Sequence, residues 1–328
     1  MLFCSKEEAL LRMNKWGKAA LPFLFVVDYK QENCYVELEE KINPEELLYD
    51  LEGWSNMKGI EAGRGPLRLD WEIFPVSEEA YTASFTKVTD AIHAGNSYLV
   101  NLTCPTLVHT NFALKELFFS SSARYKLWMK EQFIVFSPEI FVRIDDGKIS
   151  SYPMKGTIDA AVPDAARQIL NDPKESAEHA TIVDLIRNDL SIVAEQVSVP
   201  RFRYIDELQT NCGRLLQVSS EVTGRLPEGW QGRLGDILFS LLPAGSITGA
   251  PKRKTMEIIE SAEGYDRGFY TGVMGYFDGR RLNSAVMIRF IEQKGDDLIF
   301  KSGGGITSRS SCVSEYNEMK QKVYVPIY

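Results

Sequence analysis

Lys155 has the sequence setting that points most directly to chemistry. It lies in the run Ser-Tyr-Pro-Met-Lys-Gly-Thr-Ile, residues 151–158, directly after a stretch that alternates like a strand. A proline and a glycine this close together predict a sharp bend, which would hold the amine in a fixed direction. The amine is a nucleophile only when neutral, so burial or a nearby cation must lower its pKa from about 10.4. The alternative is an exposed turn lysine, which the run taken in isolation favours.

Carboxylates occupy positions in two predicted helices where apolar residues are expected. Glu178 shares a helical face with Ile182, and Glu315 and Glu318 share a face of the last helix. A buried carboxylate needs a cation, because uncompensated burial of its charge is costly. Acids from two helices therefore predict a Mg²⁺ site, since magnesium prefers hard oxygen ligands. The alternative is a set of solvated acids with a Glu318 to Lys322 ion pair.

Features that could bind an anion lie between and beside these helices. They are Arg289 in an apolar strand, the hydroxyls of Ser246 and Thr248 in a turn-rich loop, and the consecutive glycines Gly303, Gly304 and Gly305. The guanidinium of Arg289 is suited to a carboxylate. Consecutive glycines can present successive backbone N–H groups to an anion, and a helix predicted over 253–262 begins directly after the loop.

The composition predicts a globular protein without nucleic-acid or membrane partners. Of the 328 residues, 44% are hydrophobic, which is enough for a substantial core. The net charge of -8 argues against binding to nucleic acid or an anionic membrane. No signal peptide or membrane span is expected, because the apolar run over residues 21–27 is short. Reduced thiols in the cytoplasm are predicted by five scattered cysteines without a C-x-x-C pair, Cys4, Cys34, Cys104, Cys212 and Cys312.

The order of the predicted elements indicates an α+β fold. Helices are expected after Ser5, after Ser77, from 172 to about 194 and from about 314, and strands are expected over 23–28 and 34–38. A strand over 281–293 is expected to form a hairpin with a strand over 298–302. We expect a short N-terminal subdomain over residues 1–75, packed closely on a larger domain over residues 76–328.

Six motifs occur in the order found in one enzyme family. They are Pro-Met-Lys-Gly-Thr at 153–157, Lys-Glu-Ser-Ala-Glu-His at 174–179 with Val-Asp-Leu-Ile-Arg-Asn-Asp at 183–189, Gly-Ser-Ile-Thr-Gly-Ala-Pro-Lys at 245–252, Arg-Gly-Phe-Tyr-Thr-Gly at 267–272, Gly-Gly-Gly-Ile at 303–306 and Glu-Tyr-Asn-Glu-Met-Lys at 315–320. This series resembles the chorismate-using enzymes over roughly residues 77–325. The resemblance implies a chorismate-binding catalytic domain over 76–328, in a large two-layer fold of mostly antiparallel sheets with helices on the outside.

The resemblance also implies roles for individual residues. Lys155 and Glu139 are implied to be catalytic, with Glu139 as the general acid. The implied Mg²⁺ ligands are Glu178 and Glu318, with Glu315 close by. Chorismate is implied to be held at Ser246, Thr248, Tyr270, Arg289, Gly303, Gly304 and Gly305. Lys155 stands where the aminodeoxychorismate branch has lysine and the anthranilate branch typically has alanine.

The implied reaction converts chorismate and ammonia into 4-amino-4-deoxychorismate, on the route to p-aminobenzoate and folate. Ammonia is expected from a glutamine amidotransferase partner, because the sequence has no glutaminase nucleophile motif. Gln217 stands where many anthranilate synthases have a histidine associated with pyruvate removal, and glutamine cannot act as a base near neutral pH. Anthranilate and isochorismate synthesis are the alternatives, since a lysine can also activate water. A catalytically silent chorismate-binding subunit is a more remote one.

Overall fold

The computed structural model describes residues 2–60, 68–210 and 213–327. In these ranges the helices are α1 Lys6–Lys18, α2 Glu78–His93, α3 Leu114–Ser120, α4 Ala165–Asn171, α5 Pro173–Ser191, α6 Leu234–Leu241, α7 Lys252–Glu263 and α8 Cys312–Gln321. Cys212 lies outside the described residues, and the other four cysteines are free thiols. Within the described part of the chain, no helix is long and apolar enough to cross a membrane.

The strands are β1 Phe23–Val27, β2 Cys34–Leu38, β3 Leu47–Leu51, β4 Trp54–Ser55, β5 Trp71–Pro75, β6 Leu99–Thr110, β7 Tyr125–Met129, β8 Phe133–Ser137, β9 Ile140–Asp145, β10 Lys148–Ser151, β11 Met154–Asp159, β12 Glu195–Thr210, β13 Gly213–Arg225, β14 Gly249–Ala250, β15 Val273–Phe277, β16 Leu282–Val286, β17 Phe290–Lys294 and β18 Asp297–Ile306. Each strand pairs antiparallel with its neighbours.

The strands form two sheets. The order in the first is β11, β13, β10, β9, β16, β15, β1 and β2, and β12 also pairs with β13. The order in the second is β14, β6, β18, β17, β8, β7, β3 and β4, and β5 also pairs with β6. Strands from the first 75 residues thus lie beside later strands in both sheets, as β1 does with β15. The subdomain boundary at residue 75 stays a prediction.

The two sheets pack face to face, and helices cover their outer faces. Val26 of β1 and Leu127 of β7 belong to one buried cluster between the sheets. On the outer face of the first sheet, Phe25 clusters with Leu238 of α6. On the outer face of the second sheet, the clusters include residues of α3 in one region and of α2, α7 and α8 in another. This arrangement confirms the predicted α+β fold of two antiparallel layers.

The helix predicted after Ser77 forms because its apolar spacing and its cap agree. The Ser77 hydroxyl accepts a hydrogen bond from the backbone N–H of Ala80, as an N-cap does. The four residues of the predicted stripe are all buried in α2: Tyr81, Phe85, Val88 and Ile92. This stripe packs on β6, the strand that pairs with β18 along its glycine segment.

The strand predicted over 281–293 is wrong as a single element. The chain leaves the first sheet at the end of β16 and enters the second at the start of β17. Arg289, just before β17, has a φ of 54°, which breaks an extended strand. The hairpin of β17 with β18 is confirmed. The apolar run therefore passes between the two layers instead of staying in one.

Candidate active site

Lys155 lies on β11 at a β-bulge. Lys155 pairs with Val218 and Thr157 with Gln217, so the register shifts at Gly156. Gly156 has a φ of 75°, a conformation in which a side chain would be strained. The bulge agrees with the bend expected from the sequence. At this bulge the Lys155 side chain extends toward α5, where it contacts Glu178.

An ion pair joins Lys155 to Glu178. Lys155 Nζ lies 3.1 Å from Glu178 Oε2, and the two side chains are 26% and 10% exposed. Burial lowers the pKa of Lys155, but the carboxylates of Glu178, Glu175 and Glu318 outweigh burial and raise that pKa above its ordinary value. The expectation that a neighbouring cation depresses the pKa of Lys155 stays a prediction, because it concerns the site with a bound ion. The groups around the amine are the helix acids, which stabilise the ammonium.

The glycines 303–305 lie within β18 rather than in an anion-binding loop. They pair with consecutive residues of β6. Alternate N–H groups of an antiparallel strand point to opposite edges, so the predicted row of successive N–H groups is wrong. β17 pairs with β18 only over Asp297 to Lys301. Among the described strands, none pairs with the other edge of the glycine segment.

The glycines leave room for the charged groups of the site. A β-carbon at Gly304 would lie 3.4 Å from Glu315 Oε2 and 3.4 Å from Glu318 Oε1. A β-carbon at Gly305 would lie 3.4 Å from Lys155 Nζ. Successive β-carbons of a strand point to opposite faces, so the α8 carboxylates and the Lys155 amine approach the glycine segment of β18 from its two sides.

Glu139 lies between β8 and β9, and its carboxylate accepts a hydrogen bond from the Ser246 hydroxyl. Burial raises the pKa of Glu139 above its usual range, although the Ser246 hydrogen bond and the charges of Lys155, Arg289 and Lys322 each lower it. These influences place the three cations near the Glu139 carboxylate. A carboxyl group whose pKa is raised by burial can deliver a proton, as a general acid must.

Thr248 lies in the same loop as Ser246, but its hydroxyl points into the protein interior. The side chain is fully buried, and the hydroxyl donates a hydrogen bond to the Ala244 carbonyl at 2.8 Å. This bond closes the loop that presents Ser246. The substrate-binding role expected of Thr248 stays a prediction.

A further ion pair, not predicted from the sequence, joins the Ser246 loop to α5. Lys252 Nζ lies 2.7 Å from Asp189 Oδ2, and the side chains are 20% and 13% exposed. A β-carbon at Gly245 would lie 3.0 Å from the same Asp189 oxygen. The helix that carries Glu178 near its start thus supports the Ser246 loop near its end. Both partners lie in the quoted motifs, but nothing in their spacing indicated a contact.

Arg289 and Tyr270 provide polar groups on the other side of the site. Arg289 Nε is buried and has no hydrogen-bond partner among the described residues. Tyr270 is 4% exposed. Burial raises the pKa of Tyr270, while the nearby charges of Arg267 and Arg289 lower it. A buried donor without an acceptor is costly, so Arg289 is suited to receive a ligand carboxylate.

A second ion pair, not predicted from the sequence, joins Arg267 to the end of α7. Arg267 Nη2 lies 2.5 Å from Glu263 Oε1, and the side chains are 2% and 1% exposed. Arg267 also donates to the carbonyls of Ile247 at 3.1 Å and Asn101 at 2.6 Å. It therefore joins α7, the Ser246 loop and β6. The spacing of four residues gave no helical signal, because α7 ends at Glu263 and Arg267 lies beyond it.

The predicted metal ligands have the chemistry that Mg²⁺ requires. Glu315 is 5% exposed, and Glu318 Oε1 lies 2.6 Å from Lys322 Nζ, the pair expected as the alternative. Among the described residues, no group of three His, Cys, Asp or Glu side chains is close enough to hold a metal ion. Two carboxylates that meet over Gly304 still suit Mg²⁺, which often takes one or two carboxylates and completes its shell with water and substrate oxygens.

Comparison with known proteins gives the family. Residues 20–327 match the family described as chorismate binding enzyme. The chain belongs to this family. An uncharacterized PabA-like protein of Haemophilus influenzae is 48% identical over 314 residues, which cover 96% of this chain and 95% of that protein. Aminodeoxychorismate synthase component 1 of Escherichia coli is 32% identical over 276 residues, which cover 78% of this chain and 58% of that protein.

A solved structure agrees with the fold of this chorismate binding enzyme. MenF, the menaquinone-specific isochorismate synthase of Escherichia coli, superposes with a TM-score of 0.76 at 18% identity, over 98% of this chain and 82% of that chain. The predicted family and fold are confirmed. The structure brings the predicted residues of β11, α5, β18 and α8 together, and their individual roles stay predictions.

Proposed function

We propose that this chorismate binding enzyme is an aminodeoxychorismate synthase, which converts chorismate and ammonia into 4-amino-4-deoxychorismate. The observation that carries the proposal is the placement of the Lys155 amine, on the β11 bulge and 3.1 Å from Glu178. The anthranilate branch has alanine at the matching position, so it lacks this amine. Aminodeoxychorismate synthase component 1 is among the relatives of this chain, at 32% identity.

In the proposed first step, the neutral amine of Lys155 attacks C2 of chorismate. The ring double bonds shift, and the bond from C4 to its hydroxyl breaks. Glu139 donates the proton with which the hydroxyl leaves as water. The raised pKa of Glu139 supports this role, because the carboxyl group must be protonated beforehand. The product of this step is a covalent adduct between Lys155 and the ring.

In the proposed second step, ammonia attacks C4 and the bond from C2 to Lys155 breaks. The electron pair of that bond returns to the lysine nitrogen. The Glu139 carboxylate takes a proton from the attacking ammonia, so the acid is restored for the next cycle. The sum is replacement of the C4 hydroxyl by an amino group with release of water, and the enolpyruvyl group is retained.

The charged residues determine how chorismate would lie during both steps. Arg289 and Tyr270 would hold one carboxylate of chorismate. Glu315 and Glu318, which meet over Gly304, would hold Mg²⁺, with Glu178 as a further ligand when the ion is bound. The ion would supply charge neutralisation and polarise the ring carboxylate. The extended, side-chain-free glycine segment of β18 would let the ring approach the amine closely.

A second candidate function is isochorismate synthesis, in which Lys155 would activate water. Gln217 favours retention of the enolpyruvyl group in either case, because it lies on β13 opposite Thr157 and cannot act as a base. Gln217 therefore argues against anthranilate formation but does not discriminate between ammonia and water as the nucleophile.

The product of the purified chain tests the proposal. Incubation with chorismate, Mg²⁺ and ammonium should give 4-amino-4-deoxychorismate, identified by mass and absorbance. Anthranilate, or isochorismate formed without ammonium, would contradict the proposal, and no turnover under any condition would favour a silent subunit. Omission of Mg²⁺ should abolish the product. Glutamine should replace ammonium only when a glutamine amidotransferase subunit is added.

A further inference from the structure

A cavity of about 200 Å³ lies against Glu178, beside the Lys155 site. Leu99 and Glu178 line it together with Tyr98, Thr181, Ser308 and Arg309. Tyr98 is 74% exposed, and Thr181, Ser308 and Arg309 are exposed as well. The cavity therefore has an inner side, formed by Leu99 and Glu178, and an outer side whose residues are exposed to solvent.

The inner wall of this cavity borders the reacting amine. A β-carbon at Gly305 would lie 3.0 Å from Leu99 Cδ1 and 3.4 Å from Lys155 Nζ. Glu178, on the same wall, lies 3.1 Å from Lys155 Nζ. Only one layer of side chains thus separates the cavity from the amine. A ligand in the cavity is therefore adjacent to the Lys155 site, with the Leu99 and Glu178 side chains between the two.

The charge around the cavity is unfavourable to an anion except at one point. The carboxylates of Glu178, Glu175 and Glu318 all act on Lys155. The whole chain has a net charge of -8. Among the described residues that line the cavity, Arg309 is the single cation. A dianionic substrate that enters here meets Arg309 before it meets Glu178.

Arg309 is held in an ordered turn directly after the glycine segment of β18. The Ser310 N–H donates to the Thr307 carbonyl at 3.2 Å, and the Thr307 N–H donates to the Ser310 hydroxyl at 3.2 Å. The Arg309 N–H donates to the Thr307 hydroxyl at 3.3 Å. These bonds fix the backbone from which the Arg309 side chain extends at the cavity.

We propose that Arg309, with Tyr98 and Thr181, forms an entry site that captures a small cyclic dicarboxylate before it reaches Lys155. Arg309 pairs with one carboxylate and the exposed Tyr98 ring contacts the apolar ring face. Thr181, whose hydroxyl donates to the Ala177 carbonyl at 2.9 Å, also lines the site. The site raises the rate at which the anionic substrate binds to this acidic protein, and its residues do not take part in bond making. The proposal rests on the proposed function only for the identity of the dicarboxylate as chorismate.

Two variants that each remove one positive charge test this entry site. Arg309→Gln removes the cation at the cavity, and Arg280→Gln removes an exposed cation that does not line it. At low ionic strength, Arg309→Gln should lower kcat/KM for chorismate about fivefold and leave kcat unchanged. Its kcat/KM should also depend less on salt, because the screened interaction is gone. Arg280→Gln should match the unaltered protein in both respects.

The outcomes that overturn the entry site are distinct from those that overturn the proposed function. Equal behaviour of the two variants would exclude a role for Arg309 in substrate capture. An equal fall in kcat and kcat/KM for Arg309→Gln would assign Arg309 to the reacting centre instead. If the product is anthranilate or isochorismate, the same comparison still holds, because chorismate is the substrate. If there is no turnover, titration of the two variants with chorismate gives the comparison as dissociation constants.

Discussion

Lys155 Nζ lies 3.1 Å from Glu178 Oε2, and this ion pair determines the protonation state of the amine. Burial alone would make the ammonium easier to deprotonate, but Glu178, Glu175 and Glu318 together raise the pKa of Lys155. Neutralisation of these carboxylates lowers the pKa of Lys155 and therefore increases the fraction of neutral amine. Ligand binding at the acids and activation of the lysine are thus coupled through one short contact.

Replacement of Lys155 tests its proposed role as the nucleophile. Lys155→Ala should reduce formation of 4-amino-4-deoxychorismate by about 100-fold or more, because the amine is the attacking group. Lys155→Arg should not restore it, since a guanidinium stays protonated. Chorismate binding should persist in both variants, as measured by titration. Full activity of Lys155→Ala would remove the covalent step from the mechanism.

The pH dependence of catalysis tests the hydrogen bond from Ser246 to Glu139. This bond favours the carboxylate and lowers the pKa of Glu139, whereas burial raises that pKa. Glu139 acts as an acid only while protonated, so activity should fall as pH rises through its pKa. Ser246→Ala removes the lowering effect and should move this fall to higher pH. kcat should decrease roughly tenfold at the pH optimum, because one hydrogen bond to a charged group is lost.

The profile of kcat against pH for Ser246→Ala and the unaltered protein is the measurement. Thr248→Val is the matched control, because that hydroxyl in the same loop bonds to the Ala244 carbonyl and not to Glu139. It should leave the position of the alkaline limb unchanged. A limb that moves equally in both variants would show that the loop as a whole, and not the Ser246 hydroxyl, tunes Glu139.

The contact between Asp189 and Lys252 leads to a prediction about the position of Ser246. Asp189→Asn should lower kcat roughly tenfold to hundredfold with little change in KM, because the loop that carries Ser246 loses its support on α5. The effect should be smaller in the Ser246→Ala background, since the hydroxyl that the pair positions is already absent. Steady-state kinetics of the two single variants and the double variant measure this coupling.

Asp184→Asn is the control for the Asp189 variant. Asp184 lies on the same helix and pairs with Arg187 at 2.6 Å, but the two side chains are 58% and 52% exposed. It should change neither kcat nor KM, because an exposed pair within one helix does not reach the loop. Additive losses in Asp189→Asn and Ser246→Ala would mean that the ion pair affects kcat independently of the Ser246 hydroxyl.

The sequence was informative where local periodicity and tertiary burial coincide. The stripe of α2, from Tyr81 to Ile92, is buried as predicted because a helix of that spacing has one apolar face. The prediction of a single strand over 281–293 failed, because an apolar segment that crosses between two buried sheets has the same sequence pattern as one long strand. The site donors could be named from motifs, but the charge state of Lys155 depends on acids from α5 and α8 that meet only in three dimensions.

The buried pair of Glu263 and Arg267 should matter for stability more than any exposed pair. Arg267→Gln leaves the Glu263 carboxylate, 1% exposed, without its charged partner. The free energy of unfolding should fall by about 3 to 5 kcal/mol, because an uncompensated buried charge is costly. Arg214→Gln is the comparison: Arg214 pairs with Glu207 at 2.9 Å, with side chains 62% and 52% exposed. It should change the unfolding free energy by less than about 1 kcal/mol. Urea unfolding of both variants measures the difference, and equal losses would mean that burial does not set the strength of these ion pairs.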